Sequence, residues 1–100
     1  MAIPDFQSIF RPMLEIGATK PEWNINDCID ALALHFDLTE DELEKMQPSG
    51  RQTVFANRAH WARTYLDKAG ALVKTRRSHF SVTDRGKALL EQNPHRVDNK

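Results

Sequence analysis

Phe6, Ile9, Phe10, Met13 and Leu14 recur at i, i+3, i+4, i+7 and i+8, a spacing that predicts an amphipathic helix from about Asp5 to Ile16. Pro12 lies inside it, lacks an N–H and crowds the preceding turn, so a kink or a split is expected there. Gly17 is the natural stop. The stretch Glu22-Trp23-Asn24-Ile25 is too short for a helix and reads as a connector or a brief strand. Ile29, Leu32, Ala33 and Phe36 then mark one face of a second helix, Asp27 to Phe36, with Asn26 placed to cap it.

Thr39 and Glu42 have the spacing of a capping box, and Leu38 with Leu43 supplies the matching hydrophobic staple. The short helix that follows is broken by Gln47-Pro48-Ser49-Gly50. Ser49 and Gln52 make a second capping box, predicting a long helix from about Arg51 to Ala69 that Gly70 closes. Beyond Gly70 the period changes. Leu72-Val73-Lys74-Thr75 and His79-Phe80-Ser81-Val82 read as two strands joined by a polar tip, Arg76-Arg77-Ser78. Thr83 caps a last helix carrying Ala88, Leu89 and Leu90, ended by Asn93-Pro94. The order is mainly α with a small β-hairpin, which is the plan of a winged helix-turn-helix. It predicts one domain over residues 1–93, with 94–100 a disordered tail or the start of a linker.

Composition narrows the function more by what it excludes. At 100 residues, 40% hydrophobic and 28% charged, the chain has the make-up of one ordinary globular domain. No apolar run approaches the roughly 20 residues that span a bilayer. The N-terminus carries no export signal and Cys28 stands alone, so the expected location is the reducing cytoplasm, with no membrane partner. The formal net charge of zero conceals an asymmetry. Residues 1–50 hold three Lys/Arg against ten Asp/Glu, a balance of −7, and residues 51–100 hold eleven against four, a balance of +7. Such polarity fits a molecule with one side turned to a polyanion, or two halves that pair with each other.

The long helix divides by face at about 100° per residue. Phe55, Ala59, Ala62, Leu66 and Ala69 share an inward sector flanked by Val54, Trp61 and Tyr65. Thr53, Ala56, Asn57, His60, Arg63 and Thr64 fall opposite, on a small polar face without acids until Asp67. Asn can pair bidentately with adenine and Arg with guanine, so this face suits a groove reader, although a plain solvated face has the same composition. Arg58 projects near the inward sector, where it pairs with an acid of an earlier helix or else meets DNA. Arg51 in the first turn, and Lys74, Arg76 and Arg77 at the hairpin, are the phosphate candidates. Trp23 and Trp61 read as core or interface anchors. No nucleophile motif, phosphate loop or paired carboxylate is present, and His35, His60, His79 and His95 show no metal-ligand spacing with Cys28. No catalytic residue, metal site or cofactor is therefore expected.

Several fragments occur in an order that carries a resemblance: Pro12-x-Leu14, Ala33-x-x-Phe36-x-Leu38-Thr39, Ser49-Gly50-Arg51, Asn57-Arg58-Ala59-x-Trp61-Ala62, Leu66-x-x-Ala69-Gly70 and Thr83-x-x-Gly86. Together they resemble the N-terminal winged-helix domain of Mrr-like restriction endonucleases, over nearly the whole chain. The resemblance implies a module that binds double-stranded DNA for a restriction system. In full-length members it precedes a Mg²⁺-dependent nuclease domain of the PD…(D/E)xK type, which cuts modified DNA. A nuclease domain in cis or a second copy of the chain are the further partners implied. The alternative is a winged helix used for protein contact or dimerisation, through its first helix and Trp23, or as a transcription-regulator domain.

Overall fold

The computed structural model describes residues 3–48, 50 and 52–92, in the order α1 (Phe6–Gly17), β1 (Trp23–Asn24), α2 (Ile25–His35), α3 (Glu40–Glu44), α4 (Val54–Lys68), β2 (Leu72–Arg76), β3 (His79–Val82) and α5 (Asp84–Gln92). The architecture is a winged helix: a helical layer followed by a hairpin, with the first short strand completing an antiparallel sheet of order β1-β3-β2. The expected winged helix-turn-helix is therefore found.

α1 is opened by Asp5, whose side chain accepts from the Ser8 N–H at 2.8 Å. The helix runs unbroken through Pro12. Ile9, Phe10, Met13 and Leu14 are all buried on the same helix, and that burial on both sides of the proline holds the two turns together. Gly17 closes the helix without serving as a left-handed stop. A Cβ there would sit 2.7 Å from Val82 Cγ2 and 3.2 Å from Phe80 Cε2, so its task is to let α1 press against β3.

α2 begins two residues earlier than the periodicity suggests. Its N-cap is Asn24, not Asn26: the Asn24 side chain accepts from the Asn26 N–H at 2.8 Å, and the same residue ends β1. Strand and helix meet with no intervening loop. The C-terminus closes in a Schellman motif with Asp37 at φ +52°, where Asp37 N–H donates to Leu34 O and Leu38 N–H to Ala33 O. α3 carries the full capping box, Glu42 N–H to Thr39 Oγ1 at 3.2 Å and Thr39 N–H to Glu42 Oε1 at 2.8 Å.

The long helix starts at Val54 rather than Arg51. Its cap is Thr53, with Oγ1 accepting from the Ala56 N–H at 3.1 Å. Ser49 and Arg51 lie outside the described residues. Gln52, read as the second half of a capping box with Ser49, instead accepts from Asn57 Nδ2 at 3.1 Å. The cause is a small antiparallel closure: Thr53 bridges Met46, Gln47 N–H donates to Gln52 O and Val54 N–H to Lys45 O. Backbone committed to that closure is extended up to Thr53 and cannot also be helical. At the far end Gly70, at φ +79°, forms the expected Schellman stop, and Ala69 is exposed at the C-cap instead of packing inward.

Phe55, Ala59, Ala62 and Leu66 of α4 are buried against α1 and Leu32 of α2, with Phe80 of β3 closing the core from the sheet side. Alanines at two of these positions bring α4 close to its neighbours. In the hairpin Val82 pairs with Leu72 and Phe80 with Lys74, then the register shifts so that Arg76 faces His79. β2 is thus one residue longer than expected, and the turn is Arg77-Ser78 with Ser78 at φ +63°. Thr83 accepts from the Gly86 N–H at 3.1 Å and donates to Gly70 O at 2.5 Å, tying α5 to the end of α4.

Candidate nucleic-acid interface

Two hydrogen bonds tie the wing to the segment around β1. The Ile25 N–H, at the start of α2, donates to Ser78 O at 2.8 Å, and Ser81 Oγ donates to Pro21 O at 2.5 Å. The hairpin is thereby anchored at tip and stem to the connector that carries β1. Between this anchored wing and α4 lies a cleft of about 220 Å³ lined by Ile25, His60, Arg63, Lys74, Arg77, Ser78 and His79. α4 and the hairpin together supply two histidines and three fixed cations to it, and no carboxylate lines it.

His60 is half-buried, and burial first, then the charge of Arg63, push its pKa below the ordinary histidine value. Its main-chain carbonyl accepts from Thr64 Oγ1 at 3.0 Å. His79 Nδ1 donates to the Arg77 carbonyl at 2.8 Å, which fixes the ring and leaves Nε2 available. Among the described residues the side chains of Arg63, Lys74 and Arg77 have neither an ion-pair nor a hydrogen-bond partner, so their charges are unneutralised.

Several other basic side chains are committed elsewhere. Arg76 Nη2 lies 2.9 Å and Nε 3.0 Å from Glu22 Oε1, while Thr75 Oγ1 donates to Glu22 Oε2 at 2.5 Å. The Thr75 bond and the Arg76 guanidinium hold the Glu22 carboxyl below its ordinary range. Arg58 donates to Ile3 O at 2.9 Å and Pro4 O at 3.3 Å, so it holds the segment before α1 through carbonyls and not through an acid of an earlier helix. Arg85 donates to Ala69 O at 2.6 Å, and Lys20 Nζ sits 3.9 Å above the Trp23 ring.

Of the residues anticipated from sequence, the structure brings His60, Arg63, Lys74 and Arg77 together in the cleft. Thr53, Asn57 and Thr64 lie on the same helix but outside it, each half-buried and engaged in a local hydrogen bond. Arg76 is turned to Glu22, and Arg51 lies outside the described residues. Sequence reasoning missed Glu22, Ile25, Ser78 and His79. Chain spacing is blind to this pairing, because the 19 positions that separate His60 from His79 give no signal that a hairpin returns one to the other. Trp61, a candidate core or interface anchor, is 51% exposed and so lies outside the core, beside Tyr65, whose ring stacks on Phe6 at 5.0 Å.

A winged helix with a cationic cleft between its long helix and its wing defines the class of this protein. The chain belongs to the Mrr N-terminal domain family, whose model matches residues 6–92. It is 32% identical over 95 residues to the type IV methyl-directed restriction enzyme EcoKMrr of Escherichia coli (strain K12), a match covering 94% of this chain and 31% of that protein. The chain thus spans about a third of its relative's length. No solved structure matches it. The match is to the N-terminal domain, and no catalytic domain is evident among the residues that it covers. Among the described residues no group of His, Cys, Asp and Glu is arranged to hold a metal ion, and no helix is long and apolar enough to cross a membrane.

Proposed function

We propose that this chain is the double-stranded DNA-binding module of an Mrr-like restriction protein, and that a nuclease domain in cis supplies the cutting. The single observation that carries the reading is the convergence of Arg63, Lys74 and Arg77 on one acid-free cleft between α4 and the wing. Unneutralised cations on adjacent elements suit a polyanion, because each phosphate they neutralise releases a counterion. The relative's description as a methyl-directed restriction enzyme supports DNA as the polyanion and modified bases as a target.

In this reading α4 enters the major groove and the wing lies along the backbone, as in other helix-turn-helix proteins. Asn57 faces bases, His60 lies where α4 meets the wing, and Arg51, Thr53, Arg63, Thr64, Lys74 and Arg77 hold phosphates and sugars, with Arg76 joining them only where DNA displaces Glu22. The test is a salt-dependent titration of the chain with methylated and unmethylated duplexes of one sequence. The expected outcome is binding that weakens linearly in log–log form with salt and differs between the duplexes. Binding that ignores salt would remove the cleft from the interface. The chain alone is expected to leave plasmid DNA uncut with Mg²⁺ supplied.

A second reading rests on a different face. Trp61 is 51% and Tyr65 38% exposed on α4, next to Phe6 of α1. Exposed aromatics at this density suit a protein contact, either with a nuclease domain or with a second copy of the chain. The two faces use different residues, so a Trp61→Ala variant that loses self-association and keeps DNA affinity separates them.

A further inference from the structure

The cleft between α4 and the wing is more specific than a basic surface. Its charges converge on a volume of about 220 Å³ and do not spread along a stripe. Buried Ile25 gives it an apolar floor, and its walls are His60 and Arg63 on one side and Lys74, Arg77, Ser78 and His79 on the other. An apolar floor under converging cations strengthens attraction for a small anion beyond what the same charges achieve in open water. We propose that this cleft seats one phosphate group of a nucleic acid and that His60 takes up a proton as the seat fills.

The proposal rests on the DNA-binding reading for the source of the phosphate, and on geometry for the site. Arg63, Lys74 and Arg77 supply fixed charge, and the Ser78 hydroxyl supplies a donor. His79 spends Nδ1–H on the Arg77 carbonyl, so its Nε2 donates to an anion only when the ring is protonated. Every charged group facing His60 across the cleft is cationic or can become so: Arg63 on its own helix, Lys74 on β2, Arg77 and His79 on the hairpin. The nearby acid, Glu22, is held by Thr75 and Arg76. Burial and Arg63 disfavour charge on the His60 ring. A phosphate reverses the balance, because an anion in contact with the ring favours the imidazolium. Binding is therefore coupled to proton uptake. Affinity rises as pH falls through the bound-state pKa of His60 and levels off below its free-state pKa.

The experiment follows the His60 and His79 ring resonances by NMR across pH 5 to pH 8 in the whole chain. It is run alone, with sulfate, with a short duplex ending in 5′-hydroxyls, and with the same duplex bearing 5′-phosphates. Sulfate keeps its charge over this range, so any pH dependence belongs to the protein. The expected result is a higher His60 midpoint with sulfate and with duplex, and tighter binding at low pH. Each unit of midpoint rise corresponds to about a tenfold gain in affinity. His60→Gln should flatten that dependence, and the wild-type midpoints stand as evidence even if this variant folds poorly. Equal effects of the two duplexes assign the seat to backbone diesters, and an effect confined to the phosphorylated duplex assigns it to a terminal monoester. Duplex binding with an unmoved His60 midpoint would overturn the seat and leave the DNA reading intact. A midpoint moved by sulfate without any duplex binding would overturn the nucleic-acid source instead.

Discussion

The Arg76 guanidinium and the Glu22 carboxylate form a two-point ion pair, with Nη2 and Nε at 2.9 and 3.0 Å from the same oxygen. Two arginines that are neighbours in sequence are thereby made unequal: Arg76 is neutralised by the connector, and Arg77 lines the cleft with its charge intact. We expect Arg77→Ala to weaken binding to all duplexes and to lower the log–log salt slope by about 0.9, the loss of one phosphate contact. Arg76→Ala should change the slope less, and Glu22→Ala should raise it by releasing Arg76. Equal slope changes in the two arginine variants would show that DNA displaces Glu22.

Asn57 separates base reading from helix support. Its Nδ2 donates to Gln52 Oε1 at 3.1 Å, so Asn57→Ala is expected to cost about 0.5–1.5 kcal/mol of stability through that bond alone. If the side chain also reads a base, the variant loses a further 1–3 kcal/mol, roughly, on a preferred duplex and much less on random DNA. Arg63→Ala should weaken both duplexes equally. Titrations scaled to the folded fraction, with thermal melts alongside, distinguish the two roles. A stability loss with binding per folded molecule unchanged would assign Asn57 to the helix.

The core offers two tests of how α4 and α5 are held. Leu66 is 2% exposed on the inward stripe, and Leu66→Ala is expected to cost about 2–5 kcal/mol in a denaturant melt. Gly86 is under a harder constraint, since a Cβ there would run into the Ala71 carbonyl oxygen and lie 2.8 Å from Val82 Cγ1. Gly86→Ala should therefore cost about 1–3 kcal/mol through backbone displacement, although alanine is the better helix former. A neutral Gly86→Ala would mean that α5 is free to shift.

Cys28 is fully buried, and burial pushes its thiol up to about 12. Only the thiolate attacks disulfide reagents, and it is scarce at pH 8 when the pKa lies so high. Labelling with an aromatic disulfide is expected to be slow in the native chain and to accelerate with denaturant in step with unfolding. Fast labelling without denaturant would show that α2 opens locally.

Element order, and with it the winged-helix class, is legible in the sequence because caps and hydrophobic periods are local properties. The Thr39–Glu42 box, the Gly70 stop and the Thr83 cap each depend on residues within a few positions of one another. Boundaries moved where a distant partner intervened: Thr53 took over the cap of α4 because Met46 bridges it, and Pro12 failed to split α1 because the core holds both turns. The site was legible only as a list of candidates. Helical period placed Thr53, Asn57, His60, Arg63 and Thr64 on one face, but it cannot report that the hairpin comes back against only part of that face. Nor can it say that Glu22, more than fifty positions away, claims Arg76 and leaves Arg77. Those outcomes were decided by the tertiary structure, since ion pairing and cleft formation depend on distances that chain folding sets and sequence separation does not encode.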